Sequence, residues 1–248
     1  MYSVTDKVAV ITGGTRGIGL AIAETLLEAS GRVVLNGRSE TEEATALASK
    51  FGAERVAIDL GDVSDPAFAK ALIERAAKKF GRLDILIHSA GGPIPGKMTD
   101  ITAETWMNAF SVHVHPVFHL FNAAHPHLAK VGGAVLLISS VAGLRGCPTS
   151  VAYQTVKGAL IPMAKSLAFD YAKENIRVNV LAPGIIRTRF HSGMTDAAKS
   201  HNVQNRIPLQ REGTVYDVAE AAMALITNEN ITGEVLTIDG GMSMRITG

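Results

Sequence analysis

The 248-residue sequence holds a single cysteine, Cys147. One thiol excludes an intrachain disulfide and any metal site built from thiolates, and it suits a reducing compartment. An excess of one charge is also missing: 24 Lys and Arg stand against 23 Asp and Glu, a net charge of +1. That balance leaves no electrostatic footprint for nucleic acid or an anionic membrane surface as partner. No apolar run approaches the roughly 18 residues needed to cross a bilayer. A strand-like run is under way by Lys7, so no secretory leader is expected. Internal repeats, low-complexity stretches and linkers are absent too. The expectation is a soluble, cytoplasmic protein.

What is present is core-forming material. Hydrophobic residues make up 47% of the chain and charged residues 19%, which favours a folded domain over disorder. Short apolar runs recur at Val8–Thr12, Arg32–Asn36, Arg55–Asp59, Asp84–His88, Ala134–Ser139, Ile176–Leu181 and Val235–Ile238. Helical-period segments lie between them, among them Gly17–Ser30, Glu40–Phe51, Pro66–Phe80, Ala103–Lys130 and Val151–Lys173. Near-continuous Val/Ile/Leu strands alternating with helices predict an α/β fold. Its sheet is parallel and doubly wound, of about seven strands with helices on both faces. A single domain over residues 1–248 accommodates all of it. The least regular segment, Arg187–Leu209, is polar and reads as a substrate lid.

After the first strand comes Thr12-Gly13-Gly14-Thr15-Arg16-Gly17-Ile18-Gly19, leading straight into a helix. Such a loop can be no more than a strand-to-helix turn. Followed by a long helix and a second strand, it gains a stronger reading. Glycines let the backbone approach a pyrophosphate, and the helix N-terminus supplies unpaired N–H groups.

The spacing Thr-Gly-x-x-x-Gly-x-Gly resembles that of the short-chain dehydrogenase/reductase family. The resemblance runs from Lys7 to about Ser243. It recurs at Asp62-Val63, His88-Ser89-Ala90-Gly91, Ser140, Tyr153-x-x-x-Lys157, Asn179, Pro183-Gly184, and from Thr232-Gly233 to Asp239-Gly240-Gly241. Much of the chain is similar to 3-oxoacyl carrier-protein reductases. The resemblance implies a single-domain Rossmann-type fold, a nicotinamide cofactor and a homotetramer. Cofactor contacts are then expected from Thr12, Gly13, Thr15, Arg16, Gly17, Ile18, Gly19, Asp62, Val63, Ser89, Ala90, Gly91, Pro183, Gly184, Ile186 and Thr188. Asp62 resembles the family residue that meets the adenine amino group; Asp59 is a nearby competitor, but the Asp-Val-Ser-Asp-Pro context favours Asp62.

Charge argues for NADP(H) over NAD(H). An NAD enzyme of this architecture carries an acid at the tip of the second strand, and here that tip reads Asn36-Gly37-Arg38. Arg38 can grip a 2′-phosphate bidentately, and Arg16 can close on the same group. The bland reading of both arginines is solvated surface charge.

At the chemical end, Tyr153 and Lys157 stand four apart in a helical segment and so share one face. An ammonium beside a phenol favours the phenolate and is expected to lower its pKa. Tyr153 and Lys157 also serve the cofactor in the family. By resemblance, Ser140 bonds the reacting oxygen, while Ser139 is expected to face the other way. Two positions depart from the family, which has asparagines where His88 and His113 stand. The family's residue at position 113 offers a carbonyl that holds a relay water beside the lysine. His113 keeps a carbonyl and adds a ring able to titrate near pH 6.5. No metal site is expected from His115, His119, His125 and His127, which lack partners at ligand spacing.

These readings converge on an NADP(H)-dependent oxidoreductase, in the reductive direction, acting on a small carbonyl or alcohol. The substrate classes left open are a sugar, a keto acid, a keto ester and a 3-oxoacyl thioester. Pocket walls are expected from residues 92–96, 142–149 and 185–194, including Ile94, Leu144, Arg145, Ile185, Arg189 and His191. The rival reading is a cofactor-binding sensor or scaffold that has lost catalysis.

Overall fold

Strands form where Val, Ile and Leu run together, and helices where apolar residues recur three and four apart. The computed structural model describes residues 4–188 and 193–244. Its strands are β1 (Val8–Thr12), β2 (Arg32–Gly37), β3 (Val56–Leu60), β4 (Ile85–His88), β5 (Ala134–Ile138), β6 (Arg177–Pro183) and β7 (Val235–Ile238). They pair in parallel as one sheet in the order β3-β2-β1-β4-β5-β6-β7. The helices are α1 (Gly17–Glu28), α2 (Glu42–Phe51), α3 (Pro66–Phe80), α4 (Ala103–His113), α5 (His115–Leu128), α6 (Val151–Asp170), α7 (Asp196–His201) and α8 (Val215–Thr227). Every expected strand is present, two with the expected bounds and the others with ends moved by a residue or two.

Strand alternation divides the core into two layers. Ala9 and Ile11 of β1 pack with Ile22 and Leu26 of α1, Leu47 of α2, and Val218 and Met223 of α8. Val8 and Val10 pack on the opposite face with Leu72 of α3, Leu120 of α5 and Leu160 of α6. Between β1 and β4 the strand order reverses direction, so the loops leaving those two strands diverge. A crevice at such a point, beyond the carboxyl ends of the strands, is where open α/β sheets bind ligands.

Three expectations change. The segment Ala103–Lys130 is two helices rather than one, broken at Val114 (φ −118°, ψ −55°). Pro116 lies in the first turn of α5, where a missing N–H is tolerated, and it disfavours a helix running through. The segment 187–209 is more regular than foreseen: it carries α7 and a π-helical turn at Asn202–Arg206. Residues 189–192, and with them Arg189 and His191, lie outside the described residues, as do residues 245–248. Finally, α8 was not anticipated, although Thr214 and Asp217 spell its start. The Thr214 hydroxyl accepts from Asp217 N–H at 3.1 Å and the Asp217 carboxylate accepts from Thr214 N–H at 2.7 Å, a capping box.

Asp84 fastens the two central strands at their entry. Its buried carboxylate accepts from Val8 N–H at 2.9 Å and from two nitrogens of Arg82 at 2.9 and 2.6 Å. Asp84→Ala strands a buried N–H, which costs about 2 kcal/mol. In a domain of this size that lowers Tm by about 4–8 °C. Thermal unfolding followed by circular dichroism checks this; a Tm within about 1 °C of the parent would contradict it.

Candidate active site

At the end of β1 the chain turns at Gly13 with φ +64°. A Cβ on Gly13 would lie 2.8 Å from the Ala90 nitrogen, and one on Gly19 would lie 2.4 Å from the Gly13 carbonyl oxygen. The loops after β1 and β4 therefore meet backbone to backbone, which a side chain would prevent. Thr12, fully buried, ties them together: its Oγ1 accepts from Ser89 and Ala90 N–H, each at 3.3 Å. Helix α1 starts at Gly17 with no side-chain cap and no acid in its first turn. Its N–H groups and positive dipole end suit a pyrophosphate.

The arginines converge at the tip of β2. Arg16 Nη2 donates to Ser39 Oγ at 3.1 Å, beside Arg38, and both arginines are exposed. Asn36 is buried, its amide donating to the carbonyls of Asp59 at 3.0 Å and Gly61 at 3.2 Å, so it braces β2 against the end of β3. Glu40, the nearest acid in sequence, accepts from Thr45 on α2 at 2.9 Å. The choice between the two aspartates narrows as well. Asp59 is held bidentately by Arg75 at 2.7 and 2.9 Å, while Asp62 accepts only a local bond from Ser64 N–H at 2.9 Å.

Other expected contact residues offer backbone instead of side chain. Thr15 is buried against Gly37, Val63 joins the core around Leu72, and Ile186 packs with Leu181 and Val218. Ile18 is part-buried against that same core. Ile185, expected in a pocket wall, is also buried, whereas Leu144 and Arg145 are exposed. Gly184 N–H donates to Ile238 at 2.8 Å, and a Cβ there would lie 2.6 Å from Asp239 Cβ, which fixes the turn after Pro183. Thr188 faces the glycine loop: its methyl is 3.7 Å from where a Cβ on Gly17 would stand.

Helix α6 brings the chemical groups together with the end of β5. Lys157 is 5% exposed; its Nζ donates to the Ile138 carbonyl at 2.7 Å and lies 5.9 Å from the Tyr153 ring centroid. Burial lowers its pKa to about 8. Ser140 caps the short turn after β5, its Oγ accepting from Ala142 N–H at 3.2 Å and donating to the Pro183 carbonyl at 3.5 Å, and it favours the Tyr153 phenolate. Tyr153 corrects an expectation. Its pKa is raised above 10.0, because burial outweighs the Ser140 bond that favours the phenolate. In the chain by itself the Lys157 ammonium is turned to Ile138, and the phenol stays protonated.

The two histidines that depart from the family are bonded to each other. A carbonyl only accepts, so His88 Nε2 carries a proton and donates to the His113 carbonyl at 3.2 Å. His88 Nδ1 then accepts from Thr12 Oγ1 at 2.9 Å. An amide N–H only donates, so His113 Nε2 accepts from Gly92 N–H at 3.3 Å. The proton of His113 therefore sits on Nδ1, buried and without a partner. The His113 carbonyl foreseen for a relay water accepts from His88 and keeps a second lone pair. One expectation is corrected: the His113 ring does not titrate near 6.5, because burial, then the Lys157 charge, lowers both rings to about 3.

Two positioning contacts went unforeseen. Ser139 Oγ donates to the Lys157 carbonyl at 2.7 Å, bracing the very turn of α6 that carries the lysine. The Gln154 side chain accepts from Cys147 N–H at 2.9 Å and donates to the Cys147 carbonyl, pinning residues 142–149 to α6. Nothing local in the sequence marks Gln154; its adjacency to Tyr153 was the only signal. Among the described residues no three His, Cys, Asp or Glu gather as a metal site. His125 instead pairs with Glu174 at 2.8 Å.

Neutral buried imidazoles make stability depend on acid. Each His pKa falls from 6.5 to about 3 on folding, so between those values the folded chain binds fewer protons than the unfolded one. Stability from this source is intact above about pH 6.5 and declines as pH drops toward 3. The urea midpoint should fall between about pH 7 and about pH 5, and fall less in His113→Asn. An equal fall in both proteins would show that the ring is not held uncharged.

Comparison with known proteins agrees with this geometry. A sequence profile described as Enoyl-(Acyl carrier protein) reductase matches residues 13–243. Dehydrogenase/reductase SDR family member 4 of Caenorhabditis elegans is 34% identical over 97% of this chain and 96% of its own. The 3-oxoacyl-(acyl-carrier-protein) reductase of Escherichia coli is 34% identical over 96% of this chain and 98% of its own. Among solved structures, a short-chain dehydrogenase/reductase described as a glucose/ribitol dehydrogenase from Brucella melitensis aligns with a TM-score of 0.91 at 29% identity. That alignment covers 97% of this chain and 98% of the other. With its seven parallel strands, its glycine loop and a sequence profile matched over residues 13–243, the chain belongs to the short-chain dehydrogenase/reductase family of oxidoreductases.

Proposed function

We propose that this protein reduces a ketone to a secondary alcohol with NADPH, using Tyr153 as the general acid. The observation that carries the reading is the buried Lys157 ammonium, its Nζ 5.9 Å from the Tyr153 ring centroid, with Ser140 favouring the phenolate of that tyrosine. The Ser140 and Tyr153 hydroxyls suit a single acceptor, and a carbonyl oxygen is such an acceptor.

The residues present fit a phosphorylated dinucleotide. The glycine cradle would be filled by any Cβ, and α1 offers uncapped N–H groups to a pyrophosphate. Arg16 and Arg38 flank a strand tip whose asparagine is already engaged, and Asp62 has carboxylate capacity left for an adenine amino group. When bound, the cofactor supplies the hydride and, once oxidised, a positive charge.

The chain's own part is proton chemistry. Ser140 and Tyr153 orient the carbonyl oxygen, and the Tyr153 O–H bond breaks as its proton passes to that oxygen. Lys157 stabilises the phenolate left behind, and solvent restores the proton. Bringing a phenol from about 10 to near neutrality takes ~4 kcal/mol of preferential stabilisation. Burial works against that in the chain alone, so the shift belongs to the loaded site.

The preferred substrate class within this reading is a 3-oxoacyl thioester, as in the name of the Escherichia coli relative. Exposed Leu144 and Arg145 beside the site offer one apolar and one cationic contact. The reading extends to a single cytoplasmic domain with a lid at residues 187–209, and it needs no nucleic acid or membrane partner. It also extends to a homotetramer: Met107, Phe118 and Phe169 on α4, α5 and α6 are 58%, 64% and 86% exposed, more apolar helix surface than an isolated chain covers.

Tyr153→Phe should lower kcat by at least about a hundredfold and leave NADPH affinity within a few-fold. Steady-state assays and fluorescence titration test it, and activity within tenfold of the parent would remove Tyr153 from the role. Binding of NADPH without turnover of any ketone or thioester by the parent protein would favour a sensor instead. Arg38→Asp should move the NADP(H)/NAD(H) ratio of kcat/KM by more than about tenfold toward NAD(H), or 1.4 kcal/mol. A smaller shift would mean that Arg38 does not read the 2′-phosphate.

A further inference from the structure

A buried line of hydrogen bonds runs from the glycine loop to His113, whose ring abuts Tyr153, and the proton and hydride steps do not use it. It begins at Thr12, which the sheet register places opposite His88, and passes through His88 to the carbonyl of His113. All three residues are at most 2% exposed. Helix α4 ends at His113, so this carbonyl is one that a helix terminus leaves without an intrahelical donor. His88 supplies that donor.

The far end of the line is the His113 ring. It accepts from Gly92 N–H, and its Cε1 lies only 2.4 Å from where a Cβ on Gly91 would stand. It meets the Tyr153 ring edge to face, centroids 6.0 Å apart and planes at 89°. The ring is therefore wedged between the Gly91-Gly92 strap and the tyrosine. A shift in the His113 backbone is passed to both.

We propose that His88 is a positioning residue: its Nε2–H bond to the His113 carbonyl holds the His113 ring in place and so aligns Tyr153 for proton transfer. This inference rests on the reading of Tyr153 as the acid. It gives the two departures from the family one shared purpose, because His88 reaches the carbonyl of the very residue whose ring abuts the tyrosine. The line's other end, at Thr12, fastens Ser89 and Ala90, so the same bonds join the nucleotide loop to the chemical end.

The two ring nitrogens separate the roles. His88→Asn keeps a polar atom where Nδ1 meets Thr12 but is too short to reach the His113 carbonyl. His88→Gln keeps a donor where Nε2 stands. Steady-state kinetics with one ketone, NADPH fluorescence titration and Tm are measured for both. His88→Asn is expected to lower kcat at least about tenfold with the NADPH Kd within about threefold, and His88→Gln to restore kcat to within about threefold of the parent. A His88→Asn kcat near the parent's, or equal losses in the two variants, would overturn the proposal. If His88→Asn does not fold, nitrogen NMR of the intact protein decides. A proton on His88 Nε2 and on His113 Nδ1 supports the line, and the opposite tautomer of either sinks it. A parent protein that turns over no ketone defeats the functional reading alone, since the tautomers still report on the line.

Discussion

An ammonium buried without a carboxylate partner among the described residues governs this site. Lys157 is 5% exposed, and its Nζ is held by a neutral carbonyl at the end of β5. Burial disfavours its charge, hence a pKa near 8. That charge, acting across a low-dielectric interior, also helps keep His88 and His113 neutral, and neutrality fixes which of their nitrogens donates. The lysine in turn depends on Ser139, which bonds its backbone carbonyl, and on the apolar packing of α6 against the sheet. Burial first, and this cation second, keep the polar groups around Tyr153 uncharged.

The nucleotide end answers to a different constraint, the contact between the loops after β1 and β4. Gly13 against Ala90 and Gly19 against Gly13 leave no volume for side chains, and Thr12 locks the arrangement from beneath. The strand order reverses at this point, where open α/β sheets bind ligands. Binding and chemistry share the carboxyl edge of a single sheet, and the line from Thr12 through His88 to His113 spans the gap between them.

Much of this was legible in the sequence, because its cues are local. Seven Val/Ile/Leu runs marked seven strands, and the glycine spacing marked the loop. The elements misjudged depend on a single residue or on distant partners. Pro116 split a helix that periodicity alone carried through to Lys130, and the start of α8 lay in the Thr214–Asp217 pair. Within the site, Lys157 lies 5.9 Å from the Tyr153 ring, on the helix face that their spacing predicts. The state of Tyr153 did not, since the pKa of a group reflects everything packed around it. The Asp-Val-Ser-Asp-Pro context favoured Asp62 over Asp59, and Arg75 occupies the latter. The His88–His113 bond joins residues 25 apart and has no sequence signature at all.

The central claim, that Lys157 is a cation buried without a counter-ion, is tested most directly by its own titration. Carbon NMR of the lysine ε-methylenes, with Lys157 assigned by its loss in Lys157→Arg, reads the midpoint in the intact protein. The account predicts a midpoint near 8, displaced from the ordinary 10.5 by burial. A midpoint at or above 10.5 would show that solvent or a carboxylate stabilises the charge, and would contradict the account at its base.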